Sequence, residues 1–285
     1  MRRNPAGTPS QQWSDYARRR FLRIYPLYVA TLTACYFATS QAPWSADALS
    51  DLGIHAALLH TLIPGHVNLI NPSLWSLAVE AQLYALYPLV WLGMRRFGAS
   101  RVLLLCAALS LAWRFGLPLY RRSFWGQNLP WRWGFEWFLG VGVAHALAAK
   151  RWPGGLAVRM MLASCAALLA PSRSPILYGV APPLVFAALV GWAARRRVPL
   201  PAYLRPLTAL GGVSYALYLI HQPMLTQAAK RLDASGVRLV DAAPFAATSI
   251  AALLVCAAVA TVLERWGRRA QRLHDPSRER ALRAS

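Results

Sequence analysis

Long runs of apolar residues alternate with short polar junctions throughout this chain. Many of the runs approach the roughly 20 residues that an α-helix needs to cross a bilayer core of about 30 Å. Eight transmembrane spans are therefore predicted, at residues 21–40, 74–93, 102–119, 134–149, 156–170, 175–194, 207–228 and 244–263. The apolar stretch at 52–64 is shorter and fits a re-entrant or interfacial segment better. The pattern predicts an all-α, polytopic transmembrane helix bundle.

Composition supports a membrane protein over an ordinary soluble domain. Hydrophobic residues make up 56% of the 285 residues and charged residues only 14%, whereas soluble domains average roughly 45–50% and 25%. The four cysteines all lie within apolar runs without metal-ligand spacing, which favours small buried hydrophobes over disulfides or metal ligands.

Basic residues are distributed unequally between the two predicted faces of the membrane. With a cytoplasmic N-terminus, 23 of the 31 Lys and Arg residues fall in or beside cytoplasmic segments and seven in the opposite loops. Such an excess is typical of cytoplasmic loops, so both termini are predicted to be cytoplasmic, in a bacterial inner membrane. Because the net charge of +21 resides in these junctions, we expect contact with membrane lipids and none with nucleic acid. Polar tails at 1–17 and 268–285 would flank one bundle, 18–267.

Four ionisable residues interrupt the predicted spans: Glu80, Arg114, Glu136 and His221. Each costs about 2.5–3.5 kcal/mol on insertion scales, which makes it a candidate functional residue. A helical rise of 1.5 Å per residue puts all four at a similar level in the outer half of the membrane. They are predicted to line a shared polar cleft. Alternatively, Arg114 and Glu136 reach the nearby surface, and His221 is a neutral, hydrogen-bonded side chain.

No metal site is predicted. His55, His60 and His66 are five and six residues apart, so they do not share one helical face, and no HExxH motif accompanies them. Residues 212–216 faintly resemble a nucleophile elbow, but they lie within a long apolar helix instead of a strand-to-helix turn.

Three strings, in matching order, resemble motifs of the membrane acyltransferase family 3. They are residues 19–28 (RRFLRIYPLY), 71–88 (NPSLWSLAVEAQLYALYP) and 211–223 (GGVSYALYLIHQP). Residues 138–140 (FLG) also lie where the family often has an apolar-glycine turn. The resemblance extends over roughly residues 18–265.

This resemblance implies an integral-membrane O-acyltransferase. Members typically move an acyl group, often acetyl, from cytoplasmic acyl-coenzyme A to a hydroxyl of a sugar, polysaccharide or glycan precursor. Acyl-coenzyme A is then a co-substrate, a carbohydrate or lipid-linked glycan is the acceptor, and no bound cofactor or metal is expected. The predicted catalytic residues are Glu80 and His221. Predicted donor- or substrate-binding residues matched by position are Arg19, Arg20, Arg23, Asn71, Ser73, Trp75, Gln82, Tyr84 and Tyr218, to which the span argument adds Arg114 and Glu136.

Chemistry suggests roles for these groups. Arginines at the cytoplasmic mouth suit coenzyme A phosphates, although positive-inside topology alone also accounts for them. A sugar hydroxyl needs a general base, which Glu80 or His221 supplies, or Glu80 orients a histidine. Packing is an equally good explanation for Trp75 and Tyr84.

One departure from the family leaves alternatives open. The family normally begins with two further spans, the first carrying an Arg and, about ten residues later, a His taken as the catalytic base. This sequence starts just before what would be the third span. Either the start is placed too far downstream or the chain is a truncated, inactive member. The alternative function is therefore a non-catalytic or degenerate family member that carries a glycan or acyl group across the membrane.

Overall fold

The computed structural model describes residues 9–40, 42–116, 124–152, 154–169, 175–196 and 205–234, with scattered positions between 251 and 265. Within these ranges the secondary structure is helical and contains no strand. The α-helices are α1 Pro9–Thr39, α2 Ala46–Ala56, α3 Trp75–Phe97, α4 Ala99–Gly116, α5 Phe124–Gln127, α6 Gly134–Ala148, α7 Gly154–Leu169, α8 Pro175–Arg196 and α9 Arg205–Ala234. Short 3-10 turns, Pro72–Leu74 and Pro130–Trp133, precede α3 and α6.

The helix bounds follow the predicted apolar runs closely. Six of the predicted segments, from 74–93 to 207–228, correspond to α3, α4, α6, α7, α8 and α9 with shifts of a few residues. The first helix differs most, because α1 begins at Pro9, within the predicted polar tail. Proline is well suited to the first helical turn, where its missing N–H is not needed. The predicted span 244–263 and the tail 268–285 lie outside the ranges with described helix bounds.

Among the residues that the structure describes, three helices are long and apolar enough to cross a membrane: Trp13–Thr39, Pro72–Phe97 and Ala99–Gly116. This finding supports a multi-pass membrane protein, while the total of eight spans, the side of each terminus and the division into tails and bundle stay predictions. The stretch at 52–64 is not one long helix. Since α2 has 11 residues and ends at Ala56, it is too short to span the bilayer.

The chain groups into two compact units, with boundaries between Ala78 and Val79 and between Pro201 and Ala202. The first unit contains α1, α2, the start of α3 and α9, around a core that includes Leu32, Leu74 and Leu219. Two hydroxyls of α1 secure the end of α2: Tyr28 donates to the His55 carbonyl at 2.6 Å and Tyr25 to the Ala56 carbonyl at 3.0 Å. The His55 carbonyl also accepts from the Leu58 N–H at 2.8 Å, so the tyrosine hydroxyls add to the backbone bonds that close this helix end and fix α2 against α1.

The second unit contains most of α3 and the helices from α4 to α8. Helices α7 and α8 pack along each other, and Trp152, just before α7, lies against α8. Its carbonyl accepts a hydrogen bond from Arg195 at 3.2 Å. A Cβ added to Gly191 would lie only 2.2 Å from the indole ring, so the close approach depends on this glycine.

Replacing Gly191 with Ala is expected to reduce the free energy of unfolding by about 1–3 kcal/mol, because the indole ring must move from a packed position. Thermal unfolding in detergent measures the change. Gly140→Ala is the matched control, since a Cβ there meets nothing within 4 Å and mid-helix alanine is favoured over glycine by roughly 0.5–1 kcal/mol. Equal melting temperatures for the two variants would contradict the packing argument.

Candidate functional site

Asn71 donates a hydrogen bond to a backbone carbonyl of α9 that a proline leaves without its helical donor. Pro223 lies inside this helix and has no N–H, so the carbonyl four residues earlier, on Leu219, loses its helical donor. The Asn71 Nδ2 group donates to that carbonyl at 3.1 Å. Its Oδ1 accepts from the Ser73 N–H at 2.9 Å, and the side chain is fully buried. This geometry makes Asn71 a connector of protein groups, and the predicted substrate contact stays a prediction.

Two further hydrogen bonds connect α9 with the first turn of α3 and with the 3-10 turn that precedes it. Ser73 Oγ donates to Gln222 Oε1 at 2.7 Å, and Ser76 Oγ donates to the Tyr218 hydroxyl at 2.7 Å. Ser73 is buried, whereas Tyr218 is exposed. The central and late motifs of the sequence therefore meet within the first unit.

His221 has a defined tautomer in this arrangement. Its Nδ1 lies 2.6 Å from the Tyr218 carbonyl. A carbonyl oxygen only accepts hydrogen bonds, so Nδ1 carries the proton and Nε2 of the neutral ring carries the lone pair. The imidazole is half-buried, and its centroid is 5.4 Å from that of the Tyr218 ring.

In the second unit, Glu80 is held by the next turn of its own helix. Tyr84 donates its hydroxyl proton to Glu80 Oε1 at 2.7 Å, as expected for side chains four residues apart. The Tyr84 ring in turn packs edge to face against Trp137 of α6, with centroids 6.0 Å apart. Tyr84 thus both packs and orients the carboxylate. Trp75 and Gln82, on the same helix, are half-buried.

Arg114 is a buried hub of the second unit. Its guanidinium donates to Glu136 Oε1 at 2.5 Å, to the Arg132 carbonyl at 2.8 Å and to the Gly179 carbonyl at 2.8 Å. Because Pro183 lacks an N–H, it leaves the Gly179 carbonyl without a helical donor. Arg114 is only 6% exposed, so reaching water does not explain its position. Binding of substrate by Arg114 and Glu136 stays a prediction.

The predicted donor-binding arginines lie on the first half of α1. Arg19 and Arg23 are both exposed and four residues apart, so they share one helical face. Arg20 is half-buried, with its guanidinium 5.7 Å from the centroid of the Tyr16 ring.

A group of histidines lies between α1 and α3 of the first unit, outside the three candidate spans. The rings of His55 and His60 are stacked with centroids 4.3 Å apart, and both side chains are fully buried. His55 Nδ1 donates to the Asp51 carbonyl, and His66 Nδ1 pairs with the Asp51 carboxylate, each at 2.8 Å. Within the described ranges, no group of three or more His, Cys, Asp or Glu residues is placed to hold a metal ion.

Burial lowers the pKa of both stacked imidazoles. For His60 the pKa falls from 6.5 to about 3, first because burial penalises the charged ring and then because His55 and His66 repel it. The Leu74 carbonyl opposes this shift. For His55 the pKa is also lowered, chiefly by burial. The pair is therefore neutral near pH 7.

The chain matches one known protein family over most of its length. The family model described as an acyltransferase domain matches residues 6–263, which is most of the chain. The chain belongs to acyltransferase family 3. No curated protein and no solved structure matches it.

For this family 3 member, the motif residues that meet in the first unit include Asn71, Ser73 and Tyr218, which were predicted from sequence, but two of their hydrogen-bonding partners were not. Ser76 and Gln222 were not among the predicted residues, although both are polar groups in apolar helices and both lie within the strings that resemble the family. Glu80 and His221 belong to different units, and the shared cleft proposed for the four ionisable residues stays a prediction.

Proposed function

We propose that this family 3 member transfers an acyl group, most simply acetyl, from acyl-coenzyme A to a hydroxyl of a sugar, polysaccharide or glycan precursor. The family supports acyl transfer in general. The donor, the acceptor and the residues that act are our proposal.

The His221 hydrogen bond is the observation that carries the proposal. With Nδ1–H bonded to the Tyr218 carbonyl at 2.6 Å, the Nε2 lone pair is available to take a proton from an acceptor hydroxyl. A hydroxyl attacks a thioester poorly unless a base removes its proton as the new bond forms. The proton then passes to the departing coenzyme A thiolate, so the reaction is balanced without a cofactor.

Glu80 and the arginines have supporting roles in this proposal. In the second unit, the Tyr84 hydroxyl fixes one Glu80 oxygen, and the other oxygen can accept a hydrogen bond. Arg19 and Arg23, exposed on one face of α1, suit the phosphates of coenzyme A because guanidinium groups form charge-assisted pairs with phosphate.

His221→Gln is expected to lower the rate of acyl transfer by about 10²–10⁴-fold, the usual contribution of general base catalysis. Glutamine keeps an N–H for the Tyr218 carbonyl but has no basic nitrogen. Glu80→Gln is expected to be similarly impaired. The assay incubates membranes containing the whole chain with labelled acetyl-coenzyme A and candidate glycans, and measures label in the acceptor.

Gln227→Ala, at an exposed position of α9, is the control and should retain wild-type transfer. Undiminished transfer by both His221→Gln and Glu80→Gln would refute the proposed site. Absence of transfer from the wild type to every acceptor, combined with movement of a glycan across sealed vesicles, would favour the carrier function instead.

A further inference from the structure

We propose that Pro223 and Asn71 are positioning residues that hold His221 in its base-ready tautomer. The proposal rests on the proposed function, because it assigns His221 the role of base. Neither residue needs to touch the substrate. Asn71 would act through the backbone of α9, and Pro223 through the carbonyl that it leaves without a backbone donor.

The turn around His221 has two carbonyls with unusual partners. The Leu219 carbonyl, freed by Pro223, accepts from Asn71 at 3.1 Å. The neighbouring Tyr218 carbonyl accepts from His221 Nδ1 at 2.6 Å. In an uninterrupted helix these carbonyls would bond to the backbone N–H groups of residues 223 and 222. Pro223 removes the first of these donors, and the Asn71 side chain takes its place at the Leu219 carbonyl.

Asn71 is well placed to stabilise the turn of α9 around His221. It is fully buried, and its amide oxygen is fixed by the Ser73 N–H at 2.9 Å, so its Nδ2 group has a set direction. A buried carbonyl without a donor is costly, so loss of the Asn71 donor should disturb this turn. The same device occurs in the second unit, where Arg114 donates to the Gly179 carbonyl freed by Pro183. In the described part of this chain, a side chain therefore replaces the backbone donor that a proline removes in both of these helices.

A double-mutant cycle separates positioning from substrate contact. Asn71→Ala is expected to lower kcat at least tenfold with little change in KM for either substrate. Pro223→Ala restores an N–H for the Leu219 carbonyl, which then competes with Asn71 for that carbonyl, so it should also lower kcat. Because both variants act through the same turn, adding Asn71→Ala to Pro223→Ala should lower kcat no further, while Pro223→Ala should recover the melting temperature that Asn71→Ala loses. Thr226→Ala, exposed on the same helix, is the control.

If Asn71 contacts substrate directly, its effect on kcat or KM will be undiminished in the Pro223→Ala background, and the proposal fails. If Asn71 is only structural, kcat will recover together with the melting temperature in the double variant, which also overturns the proposal. Nitrogen NMR of ¹⁵N-labelled histidine gives a readout without activity, with His221→Gln identifying the signals. We expect the protonated Nδ1 signature of His221 in the wild type and its loss in both single variants. Unchanged His221 signals would refute the positioning role even if no acyl transfer is found.

Discussion

Replacing Arg114 with Met is expected to lower the free energy of unfolding by about 3 kcal/mol, the lower end of the range for breaking a buried ion pair from one side, because the Arg114 side chain is 6% exposed and that of Glu136 is 32% exposed. The substitution keeps most of the apolar stem but leaves the Glu136 carboxylate and the carbonyls of Arg132 and Gly179 without their donor. An effect of this size is a large part of the total stability of a typical domain. Thermal or denaturant unfolding in detergent measures the loss.

Arg101→Met is the matched control, because Arg101 lies on the same helix and is exposed; it should change stability by no more than about 0.5 kcal/mol. Removing both charges, in Arg114→Met with Glu136→Leu, should be less damaging than Arg114→Met alone, since no unpaired carboxylate remains. If Arg114→Met were as stable as Arg101→Met, the stabilising role assigned to the Arg114 hydrogen bonds would be wrong.

Acid is expected to destabilise the first unit through His60. Because the folded pKa of about 3 is below the ordinary 6.5, the unfolded chain binds the proton more readily, and stability rises with pH. The full contribution is present above about pH 6.5 and is lost progressively as the pH falls toward 3. At pH 5 the loss relative to neutral pH should be about 2 kcal/mol. The groups facing His60 are His55, His66 and the Leu74 carbonyl, with Asp51 paired to His66.

The measurement is the free energy of unfolding at several values between pH 7 and pH 4, for the wild type and for His60→Gln. Glutamine does not titrate, so its slope with pH should be clearly smaller, whatever its stability at pH 7. Some dependence of stability on pH should remain in His60→Gln, because burial also lowers the pKa of His55. His145→Gln, at an exposed position, should keep the wild-type slope. Identical slopes for the wild type and His60→Gln would exclude His60 as the source of acid sensitivity.

Apolar periodicity was sufficient to predict most helices, because a bilayer-length run without charge has few other stable arrangements. The helix α1 begins before the predicted span 21–40, since residues 9–20 are polar but contain no helix breaker after Pro9. The histidines show a different limit. Helical spacing argued against His55 and His60 meeting, but α2 ends at Ala56, and the following turns bring His60 back over His55.

Local partners in the site were accessible from sequence, whereas distant ones were not. Glu80 and Tyr84 are four residues apart on one helix, so their contact follows from helical geometry. Asn71 and the Leu219 carbonyl are separated by 148 positions, and an asparagine beside a proline does not indicate which carbonyl it will reach. The prolines within predicted helices could have been used as evidence. Each one indicates that the carbonyl four residues earlier lacks its backbone donor.

The tyrosine hydroxyls of α1 have a consequence for the order in which the first unit is assembled. With only 11 residues, α2 is shorter than the roughly 12–15 residues at which isolated helices become marginally stable in water. Its last carbonyls accept hydrogen bonds from Tyr25 and Tyr28, which precede it in the chain. During synthesis α1 emerges first, so the hydroxyls that hold the end of α2 are already present when α2 and the His55–His60 stack at its end are made.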